Sequence, residues 1–150
     1  MVLNGPNSCY DENMEQNIKK YPNVTVKLVL KCQDKVLILS HPDGVYDFPG
    51  GRMELFETVS ETLKRELKEE LDYDLKDDAR LFHVWNNISK DRTRHSVMIY
   101  YKCFINQMPD LVSPENLEIL WPEKEEMKKI ISDHDFVDRL YSDLVEGEIL

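Results

Sequence analysis

Residues Phe48–Asp74 read FPGGRMELFETVSETLKRELKEELDYD, and they hold two of the chain's five glycines side by side. A charged stretch with helical spacing follows the glycines at once. Thr58 is followed three residues later by Glu61, a capping box, so the spacing predicts a helix that starts near Thr58. Val59, Leu63, Leu67 and Leu71 recur every four residues and define its buried stripe. With about 100° per residue and Glu66 at the origin, Glu70 falls at about 40° and Glu69 at about −60°. The three carboxylates therefore share one arc, which borders the buried stripe and overlaps it at Glu70. Lys64 and Lys68 point the other way.

That pattern fits two readings. One is a solvated helix with i,i+4 ion pairs worth about 0.2–0.5 kcal/mol each, in which Arg65 reaches Glu69 and Glu61. The other is a metal site. Carboxylates at a core boundary lose hydration and repel one another, which raises the pKa of at least one and calls for a cation. Magnesium, a hard ion that prefers oxygen ligands, suits such a cluster. Gly50 and Gly51 fit either a simple turn or a loop whose backbone must approach a ligand closely.

Gly51, five residues, Glu57, seven residues, then Arg65-Glu66-Leu67-Lys68-Glu69-Glu70-Leu71-Asp72-Tyr73 resembles the Nudix hydrolase box, G-x5-E-x7-R-E-U-x-E-E-x-G-U, with U bulky and apolar. The match spans 23 of 150 residues and departs at Asp72, where the pattern has glycine. Asp tolerates a left-handed conformation better than most residues, so the helix end is expected to survive. Phe56 stands where many members carry a second glycine and is expected to shape the pocket mouth. The resemblance implies an α/β fold, a Nudix-type α/β/α sandwich with a mixed β-sheet in a single domain. It also implies a hydrolase that splits a nucleoside diphosphate linked to another group. By that similarity Glu66, Glu69 and Glu70 are magnesium ligands, with manganese as a substitute, helped by a backbone carbonyl at Gly50 or Gly51. Glu57 and Arg65 form the support pair and complete the catalytic set.

Outside the box the candidates are more open. Arg52 fits either a phosphate contact or an ion pair with Glu54. Glu118 is a candidate general base beside the substrate, or else an exposed acid on a short strand. Tyr46, Phe48, Trp85 and Trp121 offer stacking faces worth about 1–3 kcal/mol to a base, or else serve the core. His83 and His95 lie beside strands without metal-ligand spacing and are expected to be structural.

The rest of the chain alternates elements. NVTVKLVLKC, from Asn23, alternates Val24, Val26, Leu28 and Leu30 with polar partners, which predicts a half-buried strand. A hairpin into KVLILS, a turn at HPDG and a short strand VYDF follow. ARLFHVWNNI and HSVMIYYKCFI are β-branched and aromatic enough to be strands, and ENLEILW is a further short one. Pro122 suits the first turn of a helix through Ile131. Ser132 is expected to cap a last helix, with Phe136, Val137, Leu140, Tyr141, Leu144 and Val145 as its apolar stripe. Residues 1–20 read as a loosely ordered polar arm and 21–150 as the domain.

Composition narrows the function classes. At 150 residues the chain can bury about 70% of the surface its unfolded form exposes. Its net charge is −10, and the stretch from Glu123 onward supplies half of it. Such a surface repels a nucleic-acid duplex, and no basic stripe with aromatics interrupts it. No apolar run approaches the roughly 20 residues of a membrane span. Three widely spaced cysteines, Cys9, Cys32 and Cys103, read as free thiols in a reducing, cytoplasmic compartment. Small-molecule nucleotides are the expected substrates: a (d)NTP or modified nucleotide, ahead of ADP-ribose, a nucleotide sugar or a capped RNA. A non-catalytic nucleotide-binding module is the contrasting hypothesis, and it is weakened because every box glutamate is present. A homodimer is the expected partner state, with the last helix as one surface for it.

Overall fold

Strand β1 (Asn23–Cys32) runs through the centre of the molecule. The computed structural model describes residues 21–133 and the backbone of Asp135 and Phe136. β1 is not half-buried as its alternation predicts: Val26, Lys27, Leu28, Val29 and Leu30 are all buried. The reason is that both faces of its sheet are covered. Val26, Leu28 and Leu30 pack with Leu63, Leu67 and Leu71 of helix α1 (Val59–Leu71). Val29 packs on the opposite side with Met98, Tyr100 and Met127, the last from helix α2 (Lys124–Asp133). The result is the expected α/β/α layering.

The larger sheet is mixed. β7 (His95–Ile105) runs parallel to β1 along its whole length, and β6 (Arg80–Ile88) lies antiparallel outside β7. Two short strands share the other edge of β1: β5 (Gly50–Arg52) opposite Thr25–Lys27, and β2 (Lys35–Val36) opposite Lys31 and Cys32. A second sheet holds β8 (Glu118–Leu120), β3 (Ile38–Ser40), β4 (Val45–Asp47) and β9 (Asp135–Phe136) in that order. The glycine pair is thus part of a strand, where a loop was expected. Its pairing with β1 ties the site to the central strand.

Helix α1 begins as its sequence predicts. Glu61 N–H donates to Thr58 Oγ1 at 3.2 Å, and Thr58 N–H donates to Glu61 Oε2 at 2.7 Å. The helix ends at Asp72, which takes the left-handed conformation (φ 48°, ψ 37°) usually given to glycine. Its N–H donates to Lys68 O at 3.1 Å, and its carboxylate pairs with Lys68 Nζ at 2.7 Å. Asp therefore serves in place of the glycine.

Two expectations near the C-terminus are corrected. α2 starts at Lys124 rather than Pro122, because Pro122 O accepts Val36 N–H at 3.1 Å and Glu123 bridges to Lys35. Ser132 lies inside α2 instead of capping a new helix, and Phe136 belongs to β9. The remaining predicted stripe, from Val137 to Val145, lies outside the described residues, as do Cys9 and the arm 1–20. Cys32 and Cys103 are buried and free. Among the described residues no helix is long and apolar enough to cross a membrane.

Candidate active site

β5 and α1 press the two halves of the opening stretch together, and Arg65 is the rivet. Its Nε donates to Glu57 Oε1 at 2.6 Å and its Nη2 to Glu57 Oε2 at 3.1 Å, a bidentate fork. Nη1 donates to Glu66 Oε1 at 2.8 Å and to Glu69 Oε2 at 3.2 Å, and Nη2 also reaches Arg52 O at 2.8 Å. All five guanidinium protons are placed. The expected contact from Arg65 to Glu61 is not made, because Glu61 is engaged in the capping box.

The charges respond to this packing. The hydrogen bond from Arg65 holds the Glu57 carboxyl down at about 2, and the same pairing raises Arg65. Burial raises Glu66, with Arg65 opposing the shift. Glu70 is only 7% exposed, and burial pushes its carboxyl up to about 8 against the charge of Lys27. Its Oε2 accepts Gly50 N–H at 2.8 Å, and its other oxygen makes no hydrogen bond among the described residues.

The two glycines do different jobs. A Cβ on Gly50 would strike Val26 O, and φ there is 124°. A Cβ on Gly51 would strike the carboxylate of Glu66. Gly50→Ala is therefore expected to destabilise the fold by about 1–3 kcal/mol through backbone strain. Gly51→Ala meets only the end of a flexible side chain, so its melting temperature is expected to stay close to wild type. It displaces Glu66 all the same, and a carboxylate moved by about 1 Å is expected to lower kcat/KM roughly 10²-fold. Thermal melts and steady-state kinetics on the two variants check the contrast.

A fork-held glutamate, an acidic arc and a glycine backbone flush against one carboxylate occupy the spacing of the box, and residues 20–144 match the NUDIX domain. The chain belongs to the Nudix family. Among solved structures it is similar to the MutT NUDIX hydrolase from Burkholderia pseudomallei, with 25% identity, a TM-score of 0.60, and 71% of this chain covering 86% of that one. A MutT protein from Bacillus halodurans gives 20% identity and a TM-score of 0.66, with coverage of 85% and 82%. The E. coli dihydroneopterin triphosphate pyrophosphohydrolase gives 19% identity and a TM-score of 0.64, with coverage of 88% and 97%. The last two likenesses speak for the fold alone. No curated protein sequence matches. The chain is a Nudix hydrolase acting on pyrophosphate bonds in nucleotide-linked substrates, and enzymes of this family generally use divalent metals.

The residues of this Nudix hydrolase fit such an ion. Glu66, Glu69 and Glu70 offer hard oxygen donors, and the buried Glu70 lacks a full set of partners. Gly51 is a cradle that any side chain would fill. As the side chains stand, Arg65 and Gly50 N–H engage these carboxylates, and among the described residues no three acidic, His or Cys side chains are arranged as a ready cage. The Gly50 carbonyl accepts Lys27 Nζ at 3.0 Å, so a cation already sits on this expected ligand.

A cleft of about 620 Å³ opens beside the carboxylates, lined by Arg52, Leu55, Phe56, Glu57 and Glu66 among others. Arg52 makes no ion pair with Glu54 and lines the cleft instead. The aromatic candidates lie elsewhere. Phe48 has no exposed surface and packs in the core, so it offers no stacking face, a correction to its expected role. Tyr46 leans on the same cluster and Trp121 on the other. Trp85 is 44% exposed on β6, and Glu118 is exposed on β8, neither of them lining this cleft.

One close neighbour of the site escaped the sequence. Lys27 is 5% exposed and donates to Asp47 Oδ2 at 2.7 Å, Phe48 O at 2.9 Å and Gly50 O at 3.0 Å. Asp47 in turn meets His41 Nε2 at 3.0 Å. Alternation assigned Lys27 to solvent. The available signal was a lysine flanked by Val26 and Leu28 in a strand opposite the glycines.

Proposed function

We propose that this chain is a magnesium-dependent nucleotide pyrophosphatase, with manganese as a substitute ion and a (d)NTP or modified nucleotide as substrate. The arrangement of Arg65 carries the reading: it positions Glu57, Glu66 and Glu69 beside a cleft that Arg52 enters, with Glu70 buried behind. In this reading Glu66, Glu69 and Glu70 hold the ion with a carbonyl of the glycine strand, and Arg65 and Glu57 orient them. An ion held there would neutralise diphosphate oxygens and lower the pKa of a water. Arg52 takes a phosphate, and a box glutamate receives the proton of the water, since Glu118 does not line the cleft. The net charge of −10 and the lack of a basic stripe support a small-molecule nucleotide over capped RNA. The intact glutamates weigh against a binding-only module, and the buried free thiols support the cytoplasm.

A panel of nucleotides with magnesium tests the reading on wild type, Glu69→Gln and Glu70→Gln. Turnover is expected to vanish with a chelator and to fall roughly 10³-fold in Glu70→Gln, equivalent to about 4 kcal/mol of transition-state stabilisation. Metal-independent turnover, or turnover preserved in both variants, would sink the mechanism. A wild type that processes none of the panel points to the binding module.

A further inference from the structure

The turn between β5 and α1 carries a strain that packing does not offset. Glu57 N–H donates to Glu54 O at 3.2 Å, which closes a four-residue turn. Its third residue, Phe56, has φ +72°. That position in a hydrogen-bonded turn normally belongs to glycine or asparagine, and a phenylalanine there is strained. Burial gives nothing in return, because Phe56 is 94% exposed and the adjacent Leu55 83%. Strain of this kind persists only where the surroundings enforce it.

Here the surroundings are the catalytic carboxylates. Glu54 N–H donates to Glu57 Oε2 at 2.9 Å, the same oxygen that Arg65 Nη2 holds at 3.1 Å. The tip of the turn is thus tied, through one carboxylate, to the arginine that positions Glu66 and Glu69. The cleft of about 620 Å³ runs beneath it, with Asn23, Val24, Arg52, Leu55, Phe56 and Glu66 in its walls. That volume lies in the range of roughly 300–1,000 Å³ typical of small-ligand sites. A rigid apolar tip therefore stands at one side of a cleft whose other walls carry a cation and a carboxylate.

We propose that Phe56, backed by Leu55, is the platform on which the base of a nucleotide stacks when its diphosphate lies at Arg52 and Glu66. Phe56 is then a specificity-determining residue. The inference rests on the nucleotide reading above and adds the group that recognises the base. An aromatic ring held out in water at a cleft mouth gains by covering a planar partner, and any base offers one.

Binding of ADP, with inorganic pyrophosphate as the base-free comparator, is measured by calorimetry in magnesium for wild type, Phe56→Gly and Phe56→Trp. Phe56→Gly is expected to weaken ADP about 5- to 150-fold, the range of one base stacked on an aromatic side chain. Pyrophosphate is expected to bind all three proteins within twofold, and Phe56→Trp to restore ADP. The melting temperature of Phe56→Gly is expected to hold or rise as strain is relieved. For a nucleotide that turns over, the loss appears in KM. ADP binding that ignores Phe56, equal weakening of pyrophosphate, or no ADP binding by wild type would overturn the platform. So would a wild-type dimer that Phe56→Gly converts to a monomer in sedimentation, since the tip would then be a contact between copies. Phe56-dependent binding without hydrolysis defeats only the proposed activity, and hydrolysis without Phe56 dependence defeats only the platform.

Discussion

Glu70→Gln is expected to make the metal-free protein more stable than wild type at pH 7, by about 3 kcal/mol, and to weaken the proposed binding of magnesium. The folded Glu70 carboxyl is raised from 4.5 to about 8, so the native state prefers it protonated. A raised carboxyl contributes stability that is complete below pH 4.5 and is lost as pH climbs through about 8. At about 1.36 kcal/mol per pH unit, keeping the carboxyl protonated at pH 7, well above its unfolded value, costs roughly 3 kcal/mol. Glutamine keeps an acceptor for Gly50 N–H, which Glu70 Oε2 receives at 2.8 Å, and has no charge to desolvate. Urea unfolding in a chelator between pH 5 and 8 should therefore show wild type weakening with pH and the variant nearly flat. Magnesium should reverse the order, because an ion that binds only the native state adds stability with its concentration. Parallel pH curves for the two proteins would show that the Glu70 carboxyl is not raised by its burial.

The same residue shows what the sequence could and could not say. The offsets within the box were enough to name the family, and the wheel placed Glu70 where the acidic arc meets the buried stripe. Both readings depended on short-range spacing along one helix. Thr58 with Glu61, and the tolerance of Asp72 for a left-handed turn, were legible for the same reason. What failed depended on contacts between distant segments. Period-2 alternation makes β1 look half-buried because it cannot report a second covering layer. Lys27 was lost with it, since its partners Asp47, Phe48 and Gly50 lie 20 or more residues away. Phe48 reads as a pocket residue in the sequence because aromatics have the same look in a core and in a cleft. Phe56 stands out in the sequence as a residue expected to shape the pocket mouth, and its φ of 72° and its exposure at the cleft are visible only in three dimensions.

Lys27→Met is expected to cost about 3–5 kcal/mol of folding stability, the range for removing one partner of a buried ion pair. Asp47 is 8% exposed, and after the substitution its carboxylate would keep only His41 nearby. Adding Asp47→Asn removes the stranded charge, so the double variant should be more stable than the sum of the two single losses predicts. A coupling of at least about 1.5 kcal/mol is expected from urea titrations of the four proteins. Recovery should stay incomplete. Phe48 O and Gly50 O lose a donor in either case, and a buried acceptor without one costs about 1–3 kcal/mol. Additive losses would mean that the 2.7 Å contact of the ammonium with Asp47 is energetically idle. The location gives the result a bearing on chemistry. Lys27 holds the carbonyl of Gly50 while Glu70 holds its N–H, so one peptide segment is gripped from both sides. Releasing the lysine frees the strand on which Glu66 rests. In the double variant the loss of kcat/KM should therefore exceed what its unfolded fraction explains.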